Sequence, residues 1–305
     1  MQTIRCSREV QEALANDRPV VALESAVFPA YPGPAGWELV RQSEDLVRRR
    51  GAVPATLGIA GGEILVGLED VDHKEFSEAG ERARKVGARD LAACLVDGGF
   101  GMTTIGATLA IAKVVGIRFA AASGLGGVHR GYAERPDVSA DLSELASAPV
   151  LVVTSGVKSF LDVEATAEVL ESLAVPTLGW HTDTLPLYFT GHGGPRISAR
   201  VDEVSEVARI AWHHWHTLGR NGGVLLGQPP RNELADVQDL ITQSVRHAEA
   251  EGVTGPAITA FVLGELNRAS GGRTKEATKQ LILGTADLAG QVASAYAQLA
   301  SRTPR

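Results

Sequence analysis

Two stretches decide the fold that we predict: R-F-A-A-A-S-G-L-G-G-V-H-R-G at residues 118–131 and V-L-V-V-T-S-G-V-K at residues 150–158. Each contains an apolar run typical of a strand that is buried on both faces. Each run ends in a cluster of glycine and polar residues. Because ligands of open α/β sheets bind at the carboxyl ends of strands, we expect both clusters to face one crevice.

The groups that follow these two runs suit an anionic ligand. Glycines within residues 123–127 let backbone N–H groups approach an anion closely, and His129 follows them. Asp137 and Asp141, four residues apart, either share a helix face or flank a helix cap. Lys158 follows a buried strand, where an ammonium group must reach solvent or lose its proton. A plain glycine turn and a solvated acidic face are the structural alternatives.

Composition places the chain among ordinary globular proteins. It has 305 residues, of which 44% are hydrophobic and 21% charged, with a formal net charge of −7. This charge argues against nucleic-acid binding, and no apolar run is long enough to cross a membrane. Cys6 and Cys94 follow no metal-binding or redox spacing. We therefore expect a cytoplasmic protein with neither nucleic-acid nor membrane partners.

Strand and helix signals alternate along the chain. Residues 20–23 predict a buried strand with Glu24 at its carboxyl end, and the pair Gly61-Gly62 predicts a hairpin. Residues 72–84 predict an amphipathic helix that ends just before Lys85. This alternation predicts an α/β fold of three layers, α/β/α, with a mixed central sheet. We assign residues 1–305 to a single domain.

The polar residues at these predicted strand ends and loops suggest chemistry on a sugar phosphate. The neutral amine of Lys158 can attack a sugar aldehyde to form an imine, with Lys85 as a cationic neighbour. Glu24 can act as the acid or base if burial raises its pKa. Asp137 and Asp141 are hard oxygen donors suited to Mg²⁺ or Mn²⁺. The same strand ends and loops also hold Thr104, His129 and Ser139.

Longer motifs give the chain a family resemblance over nearly its whole length. In order along the chain they read A-L-E-S, V-P-A-T, K-V-G-A-R-D-L, T-T-I-G-A-T, G-L-G-G-V-H-R-G, D-V-S-A-D-L-S-E-L-A, S-G-V-K-S-F-L-D, N-G-G-V and G-V-T-G. By these motifs the chain resembles the pseudouridine-5′-phosphate glycosidase family, also called the indigoidine synthase A family. The middle motifs are long and specific, so chance agreement is excluded in practice.

The resemblance implies a fold, an assembly and a set of roles. It implies an α/β/α fold, a homotrimer, a bound Mn²⁺ with Mg²⁺ as the alternative, and reversible chemistry on a C-glycosidic bond to ribose 5-phosphate. Lys158 matches the imine-forming lysine, Glu24 the proton donor, Lys85 the second active-site lysine and Asp137 the metal ligand. The substrate contacts match Thr104, Ile105, His129, Ser139 and Asp141.

Departures from the family pattern lie outside this set. After Glu24 the family reads S-T-I-I-S-H-G, whereas here Ser25 is followed by A-V-F-P. The family's N-P-I-P is replaced by G-Q-P-P at residues 227–230, and a usual Asn-Asn pair by Gly284-Thr285. The lost amides suit the edge of a uracil. The base side of the site has therefore changed, while the sugar-phosphate side is intact.

These departures lead to a hypothesis about the acceptor. A pocket without polar partners for uracil loses its selectivity for uracil, so we predict a C-glycosynthase that joins ribose 5-phosphate to an aromatic polyketide acceptor in antibiotic biosynthesis. Phe28, Tyr31 and Trp37 are candidates for an aromatic wall, or ordinary packing residues. The alternatives are a pseudouridine-5′-phosphate glycosidase with a rebuilt uracil pocket and a non-catalytic protein that binds sugar phosphates.

Overall fold

A mixed β-sheet forms the centre of the protein. The computed structural model describes residues 3–26, 30–31, 33–134, 136–234, 236–255 and 257–302. The strands in this part are β1 (Ile4–Cys6), β2 (Val20–Leu23), β3 (Val53–Ala60), β4 (Glu63–Val66), β5 (Ala83–Val86), β6 (Phe100–Thr103), β7 (Phe119–Ala121), β8 (Leu151–Thr154), β9 (Thr177–Trp180), β10 (Ala199–Val201) and β11 (Val224–Gly227). Their order is β1-β4-β3-β2-β7-β8-β11-β9-β10, and β6 pairs with both β3 and β5.

The middle of the sheet is parallel, and one end is partly antiparallel. Strands β3, β2, β7, β8 and β11 pair in parallel, so their carboxyl ends share one edge. Strand β4 returns antiparallel to β3 through Gly61 and Gly62, whose φ values are 59° and 81°. Strand β6 also runs antiparallel to β3. The predicted hairpin and mixed sheet are therefore confirmed.

Helices cover both faces of this sheet. They are α1 (Arg8–Ala15), α2 (Pro34–Arg49), α3 (Asp70–Ala79), α4 (Leu91–Asp97), α5 (Ile105–Val115), α6 (Ala140–Ser147), α7 (Val163–Ser172), α8 (Val204–Trp212), α9 (Val237–Ala250), α10 (Ala257–Ala269) and α11 (Arg273–Arg302). In the part of the chain that the structure describes, no helix combines the length and the apolar character needed to traverse a bilayer.

The core divides into two layers because successive strand residues point to opposite faces. In β2, Val20 and Ala22 join the cluster that includes α5 and α6, whereas Val21 and Leu23 join the cluster that includes α2, α8 and α11. All four residues are buried. This arrangement confirms the predicted three-layer α/β/α fold.

Short polar side chains begin the helices that point toward the carboxyl edge of the sheet. Thr104 caps α5, Ser139 caps α6 and Asp162 caps α7, and each side-chain oxygen accepts a hydrogen bond from a backbone N–H of the first turn. Such caps satisfy N–H groups that have no partner within the helix. The amino ends of α5 and α6 are thereby held close to the predicted site.

The predicted helix over residues 72–84 is wrong at its carboxyl end. Helix α3 ends at Ala79, and Lys85 lies in strand β5. Ala83 and Val86 are buried in this strand and pair with Phe100 and Thr103 of β6. Pairing with a distant strand outweighs the local helical pattern, because helix propensity alone contributes little.

Gly156 offers a direct test of the loop that leads to Lys158. Its φ is 86°, and a Cβ at this position would overlap the carbonyl oxygen of Pro186. The Gly156→Ala variant is expected to lose about 3 kcal/mol of unfolding free energy from backbone strain and overlap. Denaturant unfolding measures this loss.

Gly264 provides the matched control. It is exposed within α10, and a Cβ there would meet no other atom within 4 Å. The Gly264→Ala variant is expected to gain about 0.5–1 kcal/mol, because alanine favours the helix interior. Equal stability of Gly156→Ala and wild type would show that this loop is not constrained as described.

Candidate active site

Three neighbouring strands deliver Glu24, the glycine-rich loop and Lys158 to one edge of the sheet. Glu24 directly follows β2, the glycine-rich loop follows β7, and Lys158 follows β8 by four residues. The Glu24 Oε1 atom accepts a hydrogen bond of 3.3 Å from the Ser123 N–H. The Lys158 N–H donates to the Leu125 carbonyl oxygen at 3.2 Å. The predicted common crevice is present in the structure.

Electrostatic interactions link Glu24 to two lysines. Burial raises the pKa of Glu24, and the positive charges of Lys158 and Lys85 oppose that rise. Burial lowers the pKa of Lys85, and the charge of Lys158 lowers it further. The structure therefore brings the three predicted catalytic residues within electrostatic reach of one another, although Lys85 comes from β5 rather than from a helix end.

Asp141 holds the glycine-rich loop against the start of α5. Its Oδ1 accepts from the Gly106 N–H at 2.8 Å, and its Oδ2 accepts from the Gly126 N–H at 3.0 Å. The residue is 7% exposed, so both bonds are shielded from water. Hydrogen bonds to a buried carboxylate are among the stronger ones in proteins. Asp141 therefore holds the site in shape. Its contact with substrate stays a prediction, and its carboxylate oxygens have lone pairs left to accept further hydrogen bonds.

The amino end of α5 is the part of the site best suited to bind an anion. Thr104 is half-buried and Ile105, which begins the helix, is buried. The first-turn N–H of Gly106 already donates to Asp141, and that of Ala107 donates to Thr104 Oγ1 at 3.5 Å. A phosphate bound here would therefore use the Ile105 N–H and the Thr104 hydroxyl.

His129, Asp137 and Ser139 lie together where the chain enters α6. The His129 N–H donates to the Asp137 carbonyl oxygen at 2.9 Å, and their side chains approach to 4.0 Å between Nδ1 and Oδ2. Burial lowers the pKa of His129, and Asp137 opposes this. Ser139 caps the helix, so Asp137 precedes it and Asp141 lies in its first turn. Of the two arrangements left open by the spacing, the cap region is the observed one.

The donors around Asp137 fit a cation that keeps most of its water. Within the described residues, no three His, Cys, Asp or Glu side chains are grouped as a metal site. The Asp137 side chain is 31% exposed, with His129 beside it. A hydrated Mg²⁺ or Mn²⁺ needs only one or two protein carboxylates, so this position suits such an ion better than a fully dehydrated one.

Tyr188 is a site residue that sequence reasoning missed. It is 1% exposed, has a φ of 52°, and its N–H donates to the Ser155 carbonyl oxygen at 3.0 Å. Its ring lies against Gly124, and its hydroxyl is 3.4 Å from Thr278 Oγ1. Burial raises the pKa of Tyr188. Nothing in the apolar run over residues 185–189 distinguishes it from ordinary core.

Two cavities differ in their relation to this site. A cavity of about 30 Å³ lies beside Glu24 and Ser123 and is closed by Ile282 and Thr285 of α11. A cleft of about 250 Å³ between α2 and α3 includes Arg48, whose guanidinium pairs with acidic groups of the same cleft. The larger cleft contains none of the predicted catalytic residues. The smaller cavity is therefore the one that adjoins a predicted catalytic residue.

Comparison with known proteins gives the same family over almost the whole chain. The model of the family "Indigoidine synthase A like protein" matches residues 9–295. The chain is 40% identical over 300 residues to a pseudouridine-5′-phosphate glycosidase of Myxococcus xanthus, covering 97% of this chain and 99% of the relative. It is 38% identical over 304 residues to the enzyme of that name from Escherichia coli, covering 98% and 97%.

The chain belongs to the indigoidine synthase A-like family. Its fold matches the prealnumycin C-glycosynthase AlnA in complex with ribulose 5-phosphate, with a TM-score of 0.90, 36% identity, and coverage of 99% of this chain and 100% of AlnA. It also matches an indigoidine synthase A-like protein of Thermotoga maritima, with a TM-score of 0.85, 32% identity and 96% coverage of both chains. The predicted family and fold, and the prediction that the chain is an enzyme acting on C-glycosidic bonds, are confirmed.

The predicted aromatic wall of this family member remains a prediction. Phe28 lies outside the described residues. The Tyr31 hydroxyl donates to the Lys275 carbonyl oxygen at 2.7 Å, and the Lys275 ammonium lies 4.9 Å from the centre of the Tyr31 ring. The Arg41 guanidinium lies 5.7 Å from the centre of the Trp37 ring. Tyr31 and Trp37 thus have packing partners of their own, which agrees with the alternative that they are ordinary packing residues.

The raised pKa of Glu24 predicts a pH-dependent gain in stability on substitution. Below the ordinary carboxyl pKa, Glu24 is neutral in both the folded and the unfolded chain. As pH rises through the raised pKa, the folded protein must hold a buried carboxylate, whereas the unfolded chain holds a solvated one. The Glu24→Gln variant is therefore expected to be more stable than wild type, by a margin that grows as pH rises above the ordinary carboxyl pKa and is constant above the raised pKa. Melting temperatures recorded as a function of pH measure the margin.

Glu168 supplies the control for this experiment. It is exposed on α7, so Glu168→Gln is expected to shift the melting temperature by a small amount that does not depend on pH. A margin for Glu24→Gln that stays flat or shrinks as pH rises would contradict the burial of this carboxyl group.

Proposed function

We propose that this enzyme joins C1 of ribose 5-phosphate to a carbon atom of a planar aromatic acceptor other than uracil. In this proposal the acceptor is an aromatic polyketide, and the product belongs to antibiotic biosynthesis. The observation that carries the proposal is the grouping of Lys158, Glu24 and Lys85 around one crevice, where burial perturbs the pKa of Glu24 and of Lys85. Perturbed titratable groups that share a crevice are typical of catalytic sites. AlnA supports the proposal through its ligand, a pentulose phosphate.

Lys158 starts the reaction as the nucleophile. Its neutral amine attacks the C1 aldehyde of ring-opened ribose 5-phosphate, and the aldehyde oxygen leaves as water when the imine forms. The pKa of Lys85 is lowered by burial and by the charge of Lys158, so Lys85 gives up its proton more readily than an ordinary lysine. We assign Lys85 to that proton transfer.

Glu24 completes the bond between the two carbons. The acceptor carbon attacks C1, and the imine nitrogen takes up the electron pair and a proton. The Glu24 carboxylate then removes the proton from the acceptor carbon, and its raised pKa makes it the stronger base. The C4 hydroxyl group attacks C1 and the Lys158 amine leaves, which closes the ring. In sum, acceptor and ribose 5-phosphate give the C-riboside 5-phosphate and one water.

The sugar phosphate is positioned by the groups around the glycine-rich loop. The phosphate binds at the amino end of α5, at Ile105 and Thr104, where the helix dipole favours an anion. The sugar hydroxyls contact His129, Ser139 and Asp141. Asp141 also holds Gly126 and Gly106 through its two hydrogen bonds, so the loop is preorganised before the sugar binds.

A pseudouridine-5′-phosphate glycosidase is the alternative function. It is favoured by the Myxococcus xanthus and Escherichia coli relatives, which are 40% and 38% identical. The same lysine and glutamate serve both functions, because the chemistry runs in opposite directions through one imine. The two differ in the acceptor, and the departures at residues 227–230 and at Gly284-Thr285 favour the first. Release of uracil from pseudouridine 5′-phosphate at an ordinary enzymatic rate would favour the alternative.

A divalent metal and a homotrimeric assembly belong to the same proposal. Asp137 would hold a Mn²⁺ or Mg²⁺ ion that keeps most of its water ligands, with His129 alongside. Such an ion supplies positive charge near the bound sugar phosphate. The trimer follows from the family resemblance.

Borohydride trapping tests the proposed imine. With ribose 5-phosphate and borohydride, wild-type protein is expected to gain one reduced pentose phosphate on Lys158, located by peptide mass spectrometry. Lys158→Arg is expected to gain none, whereas Glu24→Gln is expected to form the adduct and yet make no C–C bond. Bond formation by wild type, lost in Glu24→Gln while the adduct still forms, would also exclude a protein that only binds sugar phosphates.

Two controls make the trapping result specific. Lys113 lies on α5 and is exposed, so Lys113→Arg is expected to trap the sugar as wild type does. An adduct on Lys85 with none on Lys158 would overturn the assignment of the nucleophile. Absence of any adduct in the wild-type protein would overturn the imine mechanism.

The metal is tested by titration of free Mn²⁺ with paramagnetic resonance detection. Asp137→Ala is expected to weaken Mn²⁺ binding at least about tenfold, because it removes the carboxylate ligand. Glu134→Ala, an exposed acidic position in the same loop, is expected to leave binding unchanged. Equal Mn²⁺ affinities of Asp137→Ala and wild type would place the ion elsewhere.

A further inference from the structure

Gln228 lies at the same sheet edge as the imine-forming lysine. It directly follows β11, and its N–H donates to the Thr154 carbonyl oxygen at 2.7 Å. Strand β11 pairs with β8 in register, with Gly227 opposite Thr154. Lys158 comes four residues after Thr154, so the Gln228 side chain starts beside the loop that carries the nucleophile.

The Gln228 amide extends to helix α11. A Cβ at Gly284 would lie 3.7 Å from Gln228 Oε1 and 3.9 Å from its Nε2. The same stretch of the helix carries Ile282 and Thr285, which line the small cavity that also contains Glu24. One stretch of α11 therefore reaches both the Gln228 amide and the cavity beside Glu24.

The Gln228 Oε1 atom is buried, and none of the described residues donates a hydrogen bond to it. A buried carbonyl oxygen without a donor destabilises a protein, so such an atom calls for an explanation. Thr285 is not its partner, because the Thr285 hydroxyl turns back to its own helix, 3.0 Å from the Leu281 carbonyl oxygen. Gln228 lies at the carboxyl edge of the parallel strands, as do Glu24 and Lys158. A donor from a bound molecule is the explanation that this location favours.

Gly284 leaves room for that molecule. The residue lies inside the 30-residue helix α11, where glycine is less favourable than alanine. Its nearest neighbour would be 3.7 Å from an added Cβ, so neither backbone nor packing requires glycine here. Any longer side chain would occupy the space next to the Gln228 amide. The small residue and the unpartnered amide thus point to the same space.

We propose that Gln228 recognises the acceptor, by accepting a hydrogen bond at Oε1 from an O–H or N–H group on the planar ring whose reacting carbon faces Glu24. This inference rests on the proposed function and adds the chemistry of the acceptor, a planar ring that carries a hydrogen-bond donor. A hydroxylated aromatic ring and uracil share this chemistry. Separate probes therefore distinguish a hydroxylated aromatic ring from uracil as the acceptor.

The test compares binding of matched probes in the presence of ribose 5-phosphate. The probes are 1,3-dihydroxynaphthalene, its 1,3-dimethoxy analogue without donors, and uracil, each titrated by calorimetry. Wild type is expected to bind the dihydroxy probe, and Gln228→Met is expected to weaken this binding about 10- to 100-fold, the usual loss for one unmade hydrogen bond to a buried group. Binding of the dimethoxy analogue is expected to be the same in both proteins.

Further measurements separate recognition from a structural role. Gln228→Met removes an unpartnered buried oxygen, so its melting temperature is expected to equal or exceed that of wild type, and borohydride trapping on Lys158 is expected to be unchanged. Gln228→Glu keeps an oxygen acceptor and is expected to retain more affinity than Gln228→Met. Gln298→Met, at an exposed position of α11, serves as the matched control with wild-type affinity.

Each outcome decides the proposal. Weakened binding of uracil, but not of the dihydroxy probe, would support recognition by Gln228 and identify uracil as the ring. The inference would be overturned if no donor-bearing probe bound wild type, if Gln228→Met left their affinity unchanged, or if it weakened the dimethoxy analogue equally. Failure of trapping in wild type would overturn the proposed function. The binding comparison would still test whether Gln228 forms a hydrogen bond with the acceptor.

Discussion

The two hydrogen bonds of the buried Asp141 carboxylate hold the site together. One reaches the Gly106 N–H in the first turn of α5, and the other reaches the Gly126 N–H in the loop after β7. Asp141 itself is placed by Ser139, which caps α6. The amino end of one helix, the glycine-rich loop and a second helix are therefore joined through one side chain. This connection preorganises the groups that we assign to the sugar phosphate.

The preorganised site also contains buried ionisable groups, which destabilise the folded protein. Glu24 lies among partly apolar surroundings that raise its pKa, and Lys85 lies where burial and Lys158 lower its pKa. Neither arrangement favours the folded state at neutral pH, since each disfavours the charged form of the residue. Both move the pKa of the group toward neutrality, which favours proton transfer. Stability and chemistry thus compete at the same residues, as is common in active sites.

The two sides of the crevice differ in how their residues interact. On the side that we assign to the sugar phosphate, Asp141 bonds both the glycine-rich loop and the start of α5. On the side that we assign to the acceptor, the Gln228 amide lies near Gly284, and its Oε1 atom accepts no hydrogen bond from the described residues. We place the acceptor in the space that Gly284 leaves open. A site with one fixed side and one open side suits a fold that serves more than one function.

Sequence alone determined the layered fold, the mixed sheet and the strand ends that carry Glu24 and Lys158, because continuous apolar runs and glycine signals are local. Motifs also gave the residues that we assign to the sugar phosphate. Tertiary structure decided that Lys85 lies in a strand, since β5 forms only by pairing with β6. It also decided where Tyr188 and Gln228 lie. Their contacts with Gly124 and Gly284 join segments more than fifty residues apart, and such contacts arise from packing of the whole chain rather than from any local pattern.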